Sequence, residues 1–155
     1  MSLLNNSLPD ATKLFSVPFS VPGKFGSALQ LNGGSPASYV QLPQGIVTGP
    51  TDFTIAAWVN PAAVPNWARV FDFGTGETAY MFLTVSAGGT NNPRYAITVS
   101  GNGSEQRLDA PGPLPLNQWT HLAVTLSGST GTLYVNGAAV ATNTAMTLAA
   151  RFLWP

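Results

Sequence analysis

The chain has 155 residues, of which 45% are apolar, only 8% are charged and none is cysteine. A domain of this length buries about 70% of its unfolded surface around one core, and the lack of cysteine excludes disulfides, thiolate metal sites and cysteine nucleophiles. Six Lys and Arg against six Asp and Glu leave a formal net charge of zero, so no basic field exists to hold nucleic acid or an anionic membrane, and no self-repulsion opposes a homo-oligomer.

The opening stretch MSLLNNSLPDATKLF has no basic segment followed by a long apolar run. No window reaches the roughly 20 apolar residues that cross a bilayer, so nothing here reads as an export signal or a span. Residues 1–19 are read as an N-terminal extension or an irregular first strand. Further on, 16 Gly and 13 Pro divide short runs rich in Val, Ile, Thr and aromatics. That is the punctuation of an all-β chain, and it interrupts nearly every stretch long enough for an amphipathic helix.

The first clear strand is predicted at 38–42 (SYVQL), stopped by Pro43, with Val40 and Leu42 on one face. Residues 53–60 (FTIAAWVN) are apolar on both faces, which predicts a central strand covered on both sides. Strands follow at 70–73 (VFDF), 80–85 (YMFLTV) and 95–99 (YAITV), the last after a polar turn at 88–93. Residues 105–108 (EQRL) predict an edge strand closed off by Pro111, Pro113 and Pro115. In 119–126 (WTHLAVTL), Leu122, Val124 and Leu126 share the core face, with Trp119, His121, Ala123 and Thr125 opposite. Residues 131–135 (GTLYV) and 138–142 (AAVAT) flank Asn136-Gly137, whose tolerance of positive φ predicts a type I′ hairpin turn. With no repeat or linker, the chain reads as one all-β domain with frayed ends.

Four stretches in this order carry a family resemblance: GKFGSALQLNG at 23–33 with YVQLP at 39–43, DFTIAAWVN at 52–60, QWTHLAVTLSG at 118–128, and TLYVNGAAV at 132–140. Together they resemble the laminin G-like domains of the concanavalin A-like lectin/glucanase superfamily, a resemblance that implies one β-sandwich over residues 20–148 and a tail at 149–155. VFDFGTG at 70–76 is further similar to modules appended to bacterial glycoside hydrolases, including arabinan-cleaving enzymes. The resemblance implies an all-β, two-sheet antiparallel jelly-roll sandwich, an extracellular or cell-surface location, a carbohydrate or protein ligand, and often a calcium ion. The family's opening aromatic-aspartate strand and closing acidic strand are not recognisable; where the latter should begin, the chain reads LAARFLWP at 148–155. That implies a sandwich incomplete at both ends, with open sheet edges, as a fragment or a chain completed by a partner.

Glycoside hydrolysis needs two carboxylates about 5 to 9.5 Å apart across the cleaved bond, and the superfamily's glucanases place theirs at alternating positions of one strand. The acids here are Asp10, Asp52, Asp72, Glu77, Glu105 and Asp109, with no Glu-x-Asp spacing among them. Asp52 reads as a turn residue and Glu105 and Asp109 as solvated edge positions, so no catalytic residue is expected. Asp72 and Glu77 bracket a Phe-Gly-Thr-Gly turn rich in carbonyls, the hard oxygen ligands that calcium takes. The alternative is that Asp72 bonds within the sheet and Glu77 is solvated. His121 is the single histidine and supports neither a metal cluster nor a nucleophile relay. GKFGSA lacks the Gly-Lys-Ser/Thr end of a phosphate loop.

Neutral sugars offer C–H patches and hydroxyls, which aromatic faces and amides recognise. Trp67, in PNWAR at 65–69, is the exposed candidate, flanked by Asn66 and Arg69. Asn91, Asn92 and Arg94 join it if the fold brings their loop to the same rim. The alternative is that Trp67 covers a sandwich end and the asparagines make turns. Trp58 and Trp119, inside strand patterns, are read as core. The expected function is a non-catalytic binding module, carbohydrate-binding and accessory to a larger extracellular polysaccharide-acting or adhesive protein. The alternative is a structural domain that self-associates through open sheet edges.

Overall fold

The computed structural model describes residues 13–15, 19–32, 38–74 and 76–150. The chain divides into two compact units, residues 1–46 and 47–155. In the first, β1 (Lys13–Phe15) pairs antiparallel with β4 (Tyr39–Gln41), and β2 (Phe19–Pro22) with β3 (Ser27–Gln30). The Gly23 N–H donates to the Gly26 carbonyl at 2.8 Å and closes the β2–β3 turn. Apart from β1 and the start of β2, the extension read at 1–19 lies outside the described residues.

The second unit holds two four-stranded antiparallel sheets. One contains β5 (Phe53–Val59), β10 (Thr120–Ser127), β11 (Thr130–Val135) and β12 (Ala138–Asn143), in the order β12-β11-β10-β5. The other runs in chain order through β6 (Arg69–Gly74), β7 (Tyr80–Thr84), β8 (Arg94–Thr98) and β9 (Gln106–Asp109). A 3-10 turn lies at Asn102–Ser104. This is the all-β class that the strand pattern predicts and the two-sheet arrangement that the resemblance implies.

The core lies between these sheets because strand alternation sends every second side chain inward. Leu122, Val124, Leu126 and Leu133 come from one sheet, and Met81, Leu83, Tyr95, Ile97 and Leu108 from the other. Each contributes about 1.5 to 3 kcal/mol by leaving water. Ala149 and Ala150 are also buried in this core, so the segment read as a tail from 149 begins as core; residues 151–155 lie outside the described residues. At the β11–β12 hairpin, Asn136 and Gly137 have φ of 50° and 83°, the pair of positive values that a type I′ turn requires.

Two readings change. Residues 53–60 were expected as a central strand, but among the described residues β5 ends its sheet, pairing with β10 alone. Its exposure alternates, with Thr54, Ala56 and Trp58 facing out. The double-sided apolar run arises because the outward positions carry a small Ala and a Trp. Trp58 is 39% exposed rather than core, and its ring lies 5.2 Å from that of its cross-strand partner His121. The strands buried on both faces are β7, where Met81, Phe82, Leu83 and Thr84 are all buried, and its neighbour β8, where Tyr95, Ala96, Ile97 and Thr98 are.

Candidate functional site

On the sheet β6 to β9, Phe71, Phe73, Met81, Leu83, Tyr95, Ile97 and Leu108 turn to the core. The positions between them turn to the opposite face, where the register sets Asp72 beside Phe82 and Arg94 beside Asp109. The chain has six basic and six acidic residues, and seven of these twelve gather on or beside this face: Arg69, Asp72, Glu77, Arg94, Glu105, Arg107 and Asp109. Five of them, Arg69, Glu77, Arg94, Glu105 and Arg107, line a groove of about 670 Å³ together with Trp67, Tyr80, Phe82, Asn102 and Gly103, within the size range of small-molecule sites; Asp72 and Asp109 pair with its arginines.

Trp67 forms the aromatic wall. Its φ of 66° is a left-handed conformation that a bulky side chain adopts only when its surroundings impose it. Those surroundings are specific. The Trp67 N–H donates to the Ser86 carbonyl at 2.8 Å, and the Ala68 N–H donates to the Pro65 carbonyl at 3.1 Å. The Thr84 hydroxyl donates to the Ala68 carbonyl at 2.7 Å, which ties the turn to the end of β7. Asn66 Oδ1 accepts the Gly89 N–H at 2.8 Å, joining this turn to the next loop.

The Trp67 indole meets Phe82 edge-on, with centroids 6.2 Å apart and planes at 86°. Tyr80 stacks on Phe82 at 5.7 Å, and the Arg69 guanidinium lies 3.6 Å from the centre of the same ring. Phe82 is thereby only 2% exposed although it is on the outward face, while Trp67 keeps 44% exposure. The Arg69 and Arg94 guanidinium groups lie 5.6 Å and 6.0 Å from the Trp67 ring, within cation–π range.

The charges form a linked network. Arg94 Nε donates to Asp109 Oδ1 at 2.6 Å, and Arg94 Nη1 lies 3.8 Å from Glu105 Oε2. Arg107 Nε reaches Asp109 Oδ2 at 3.3 Å, and Arg69 Nε reaches Asp72 Oδ2 at 3.0 Å. The Tyr80 hydroxyl donates to Glu105 Oε1 at 2.8 Å. Burial, and then this bond to Glu105, push the Tyr80 hydroxyl up to about 12 from its ordinary 10.0. Glu105 was expected to be solvated; its side chain is only 8% exposed, because Tyr80 and Arg94 close over it.

Of the six side chains picked out for ligand binding, the groove brings together Trp67, Arg69 and Arg94. Asn66 is used internally to hold Gly89. Asn91, at φ 58°, and Asn92 belong to a turn: the Ala87 N–H donates to the Asn92 carbonyl at 3.0 Å, and the Asn92 N–H to Thr90 Oγ1 at 3.2 Å. Neither lines the groove. Sequence reasoning missed Tyr80, Phe82, Glu105 and Arg107. The usable signal was the double-sided apolar run YMFLT, whose outward Tyr80 and Phe82 need a cover of their own.

Asp52 stands apart from this face and accepts the Gly128 N–H at 2.9 Å, while Asp10 lies outside the described residues. For calcium, the Asp72 carboxylate is already held by the Arg69 guanidinium, which a cation would have to displace. Among the described residues no three acidic, His or Cys side chains converge as a metal site. Among the described residues Asp72 and Glu77 form no assembled cation site, and calcium enters no step below. Among the described residues no helix is long and apolar enough to cross a membrane.

Several solved structures are similar to this chain. An S-layer domain-containing protein from Clostridium thermocellum (residues 221-444) is 37% identical, covering 88% of this chain and 62% of that one, with a TM-score of 0.56. Domain 4 of AbnA, a GH43 extracellular arabinanase from Geobacillus stearothermophilus solved in complex with arabinotriose, is 21% identical over 84% of this chain and 64% of that one, with a TM-score of 0.71. The enzymatically active domain of bacteriophage CBA120 tailspike protein 2 is 18% identical over 92% of this chain and 23% of that one, with a TM-score of 0.58. The chain therefore spans less than two thirds of the length of each, and the two likenesses under 25% identity establish the fold alone. No curated relative matches the chain. A laminin G-type family model matches residues 32–153, most of the chain, and the protein therefore belongs to the concanavalin A-like lectin/glucanases superfamily.

Proposed function

We propose that this chain is a non-catalytic carbohydrate-binding module, accessory to a larger extracellular polysaccharide-acting or adhesive protein. The observation that carries this reading is Trp67, which is 44% exposed yet locked in a left-handed conformation over Phe82, between two arginines. An aromatic platform bordered by hydrogen-bonding groups is the arrangement that recognises a sugar ring. The AbnA domain, solved with arabinotriose, supports the class of ligand. The extracellular arabinanase and the S-layer domain-containing protein support the setting.

The carboxylates favour binding over hydrolysis. Asp72, Glu105 and Asp109 are each engaged by an arginine, whereas hydrolysis needs two carboxylates free to act across the cleaved bond. Calorimetry with arabinan, xylan and galactan oligosaccharides tests the reading. Binding to one of them, lost in Trp67→Ala, is the expected result. A folded protein that binds none overturns it, and sugar release abolished by Glu77→Gln would make the chain an enzyme.

A second reading, self-association through sheet edges, has one observation in its favour. Among the described residues β5 ends its sheet, and FTIAAWV carries no charge to deter pairing. Light scattering decides it: a strictly monomeric folded species removes this reading.

A further inference from the structure

The geometry points to a groove set for uncharged sugars and against uronic acids, with Asp109 as the positioning residue that enforces the choice. This inference rests on the carbohydrate reading above. Three arginines beside an aromatic platform would ordinarily make a site for acidic sugars, because a guanidinium grips a carboxylate through two parallel N–H bonds. Here each of the three arginines already gives its Nε–H to a carboxylate. Asp109 uses one oxygen for each of two arginines, Oδ1 for Arg94 at 2.6 Å and Oδ2 for Arg107 at 3.3 Å. Arg69 is engaged by Asp72 at 3.0 Å.

The charge balance points the same way. Three arginines face four acids, Asp72, Glu77, Glu105 and Asp109, so the face carries one negative charge in excess. A uronate carboxylate accepts hydrogen bonds but donates none. To gain a two-bond grip that includes Nε it would have to displace Asp109, and it would approach like charge on the way. The backbone of Asp109 is fixed on β9 opposite Arg94 and next to Leu108, which is buried in the core at 2% exposure. A neutral hydroxyl both donates and accepts, so it bonds to the paired arginines and acids without separating them. The carboxylates thus act as the repulsive element that specificity needs beside its attractive ones.

The test is calorimetry on the full chain with arabinotriose and with a trimer of galacturonic acid, at low salt and at high salt. The wild type is expected to bind the neutral trimer at least about tenfold more tightly than the acidic one. Asp109→Asn keeps the shape but frees Arg94 and Arg107, and should move the ratio toward the acidic trimer by about tenfold. That gain should vanish at high salt, where screening shortens the reach of charge to about 3 Å at 1 M. Asp72→Asn, which frees Arg69 at an exposed position, should shift the ratio in the same direction and serves if Asp109→Asn does not fold. A merely structural role for Asp109 would weaken both trimers in parallel, and that result overturns the inference. So does a wild type that binds the acidic trimer as tightly as the neutral one, which leaves the carbohydrate reading intact. If neither trimer nor any other glycan binds, both fall together.

Discussion

The indole of Trp67 lies so close to Gly88 that a Cβ on this glycine would sit 2.8 Å from Cζ2 of the ring. Gly88 also has φ of 49°, a conformation that costs another residue roughly 1 to 2 kcal/mol. The glycine therefore does two things: it turns the loop, and it leaves the space in which the platform lies. Gly88→Ala should push the indole off Phe82, lower the affinity for a neutral oligosaccharide by about tenfold and shift the tryptophan fluorescence. An Ala variant with unaltered fluorescence and affinity would show that the contact does not position Trp67.

Alkaline pH probes the other side of the groove. The Tyr80 hydroxyl is raised from 10.0 to about 12, by burial first and by Glu105 second, and burial pushes the Tyr95 hydroxyl up as well. In the unfolded chain both phenols ionise near pH 10, while in the fold they stay neutral. Their contribution to stability is complete below pH 10 and is lost as pH rises from about 10 towards 12. Denaturant midpoints measured from pH 9 to 12 should fall across that window, and Tyr80→Phe should reduce the slope. An equal slope in the variant would exclude Tyr80 as a source.

The β11–β12 turn depends on Asn136 twice. Its φ of 50° suits Asn far better than Ala, and its Oδ1 accepts the His121 N–H at 2.9 Å. Asn136→Ala should therefore cost about 1 to 3 kcal/mol, from the strained turn plus one unsatisfied amide, measured by urea denaturation with an unchanged m value. Asn136→Gly relieves the strain but not the lost bond, and should fall between the two.

Gly131 is a packing glycine rather than a turn glycine. A Cβ there would collide with Sδ of Met146, and Leu108 Cδ1 would lie 3.4 Å away; Met146 is buried at 1% exposure. Gly131→Ala should cost about 1 to 3 kcal/mol by overpacking. Pairing it with Met146→Ala, which opens the space, should recover part of that loss. Additive losses in the double variant would place the cost elsewhere.

Much of the fold was legible in the chain because its signals are local. Period-two alternation in 119–126 identifies the core face of β10 from Leu122, Val124 and Leu126, and Asn136-Gly137 marks the hairpin through the φ values that only such residues tolerate. The candidate site was legible in part: Trp67, Arg69 and Arg94 stand out as an aromatic and two cations near loops. Asn91 and Asn92 have the same polar character in sequence, yet their backbone turn uses them.

What the sequence determined by itself is the all-β class, the strand faces and the hairpin, since each depends on neighbours within a few residues. Only the tertiary structure decided which strand ends its sheet among the described residues, because sheet order comes from pairing between distant segments; FTIAAWV and YMFLT look alike alone, but among those residues one ends its sheet and the other lies within its own. It also decided the groove. The β8–β9 register brings Asp109 to Arg94, and the fold lays Trp67 over Phe82, so that charges scattered along the chain become one network on one face.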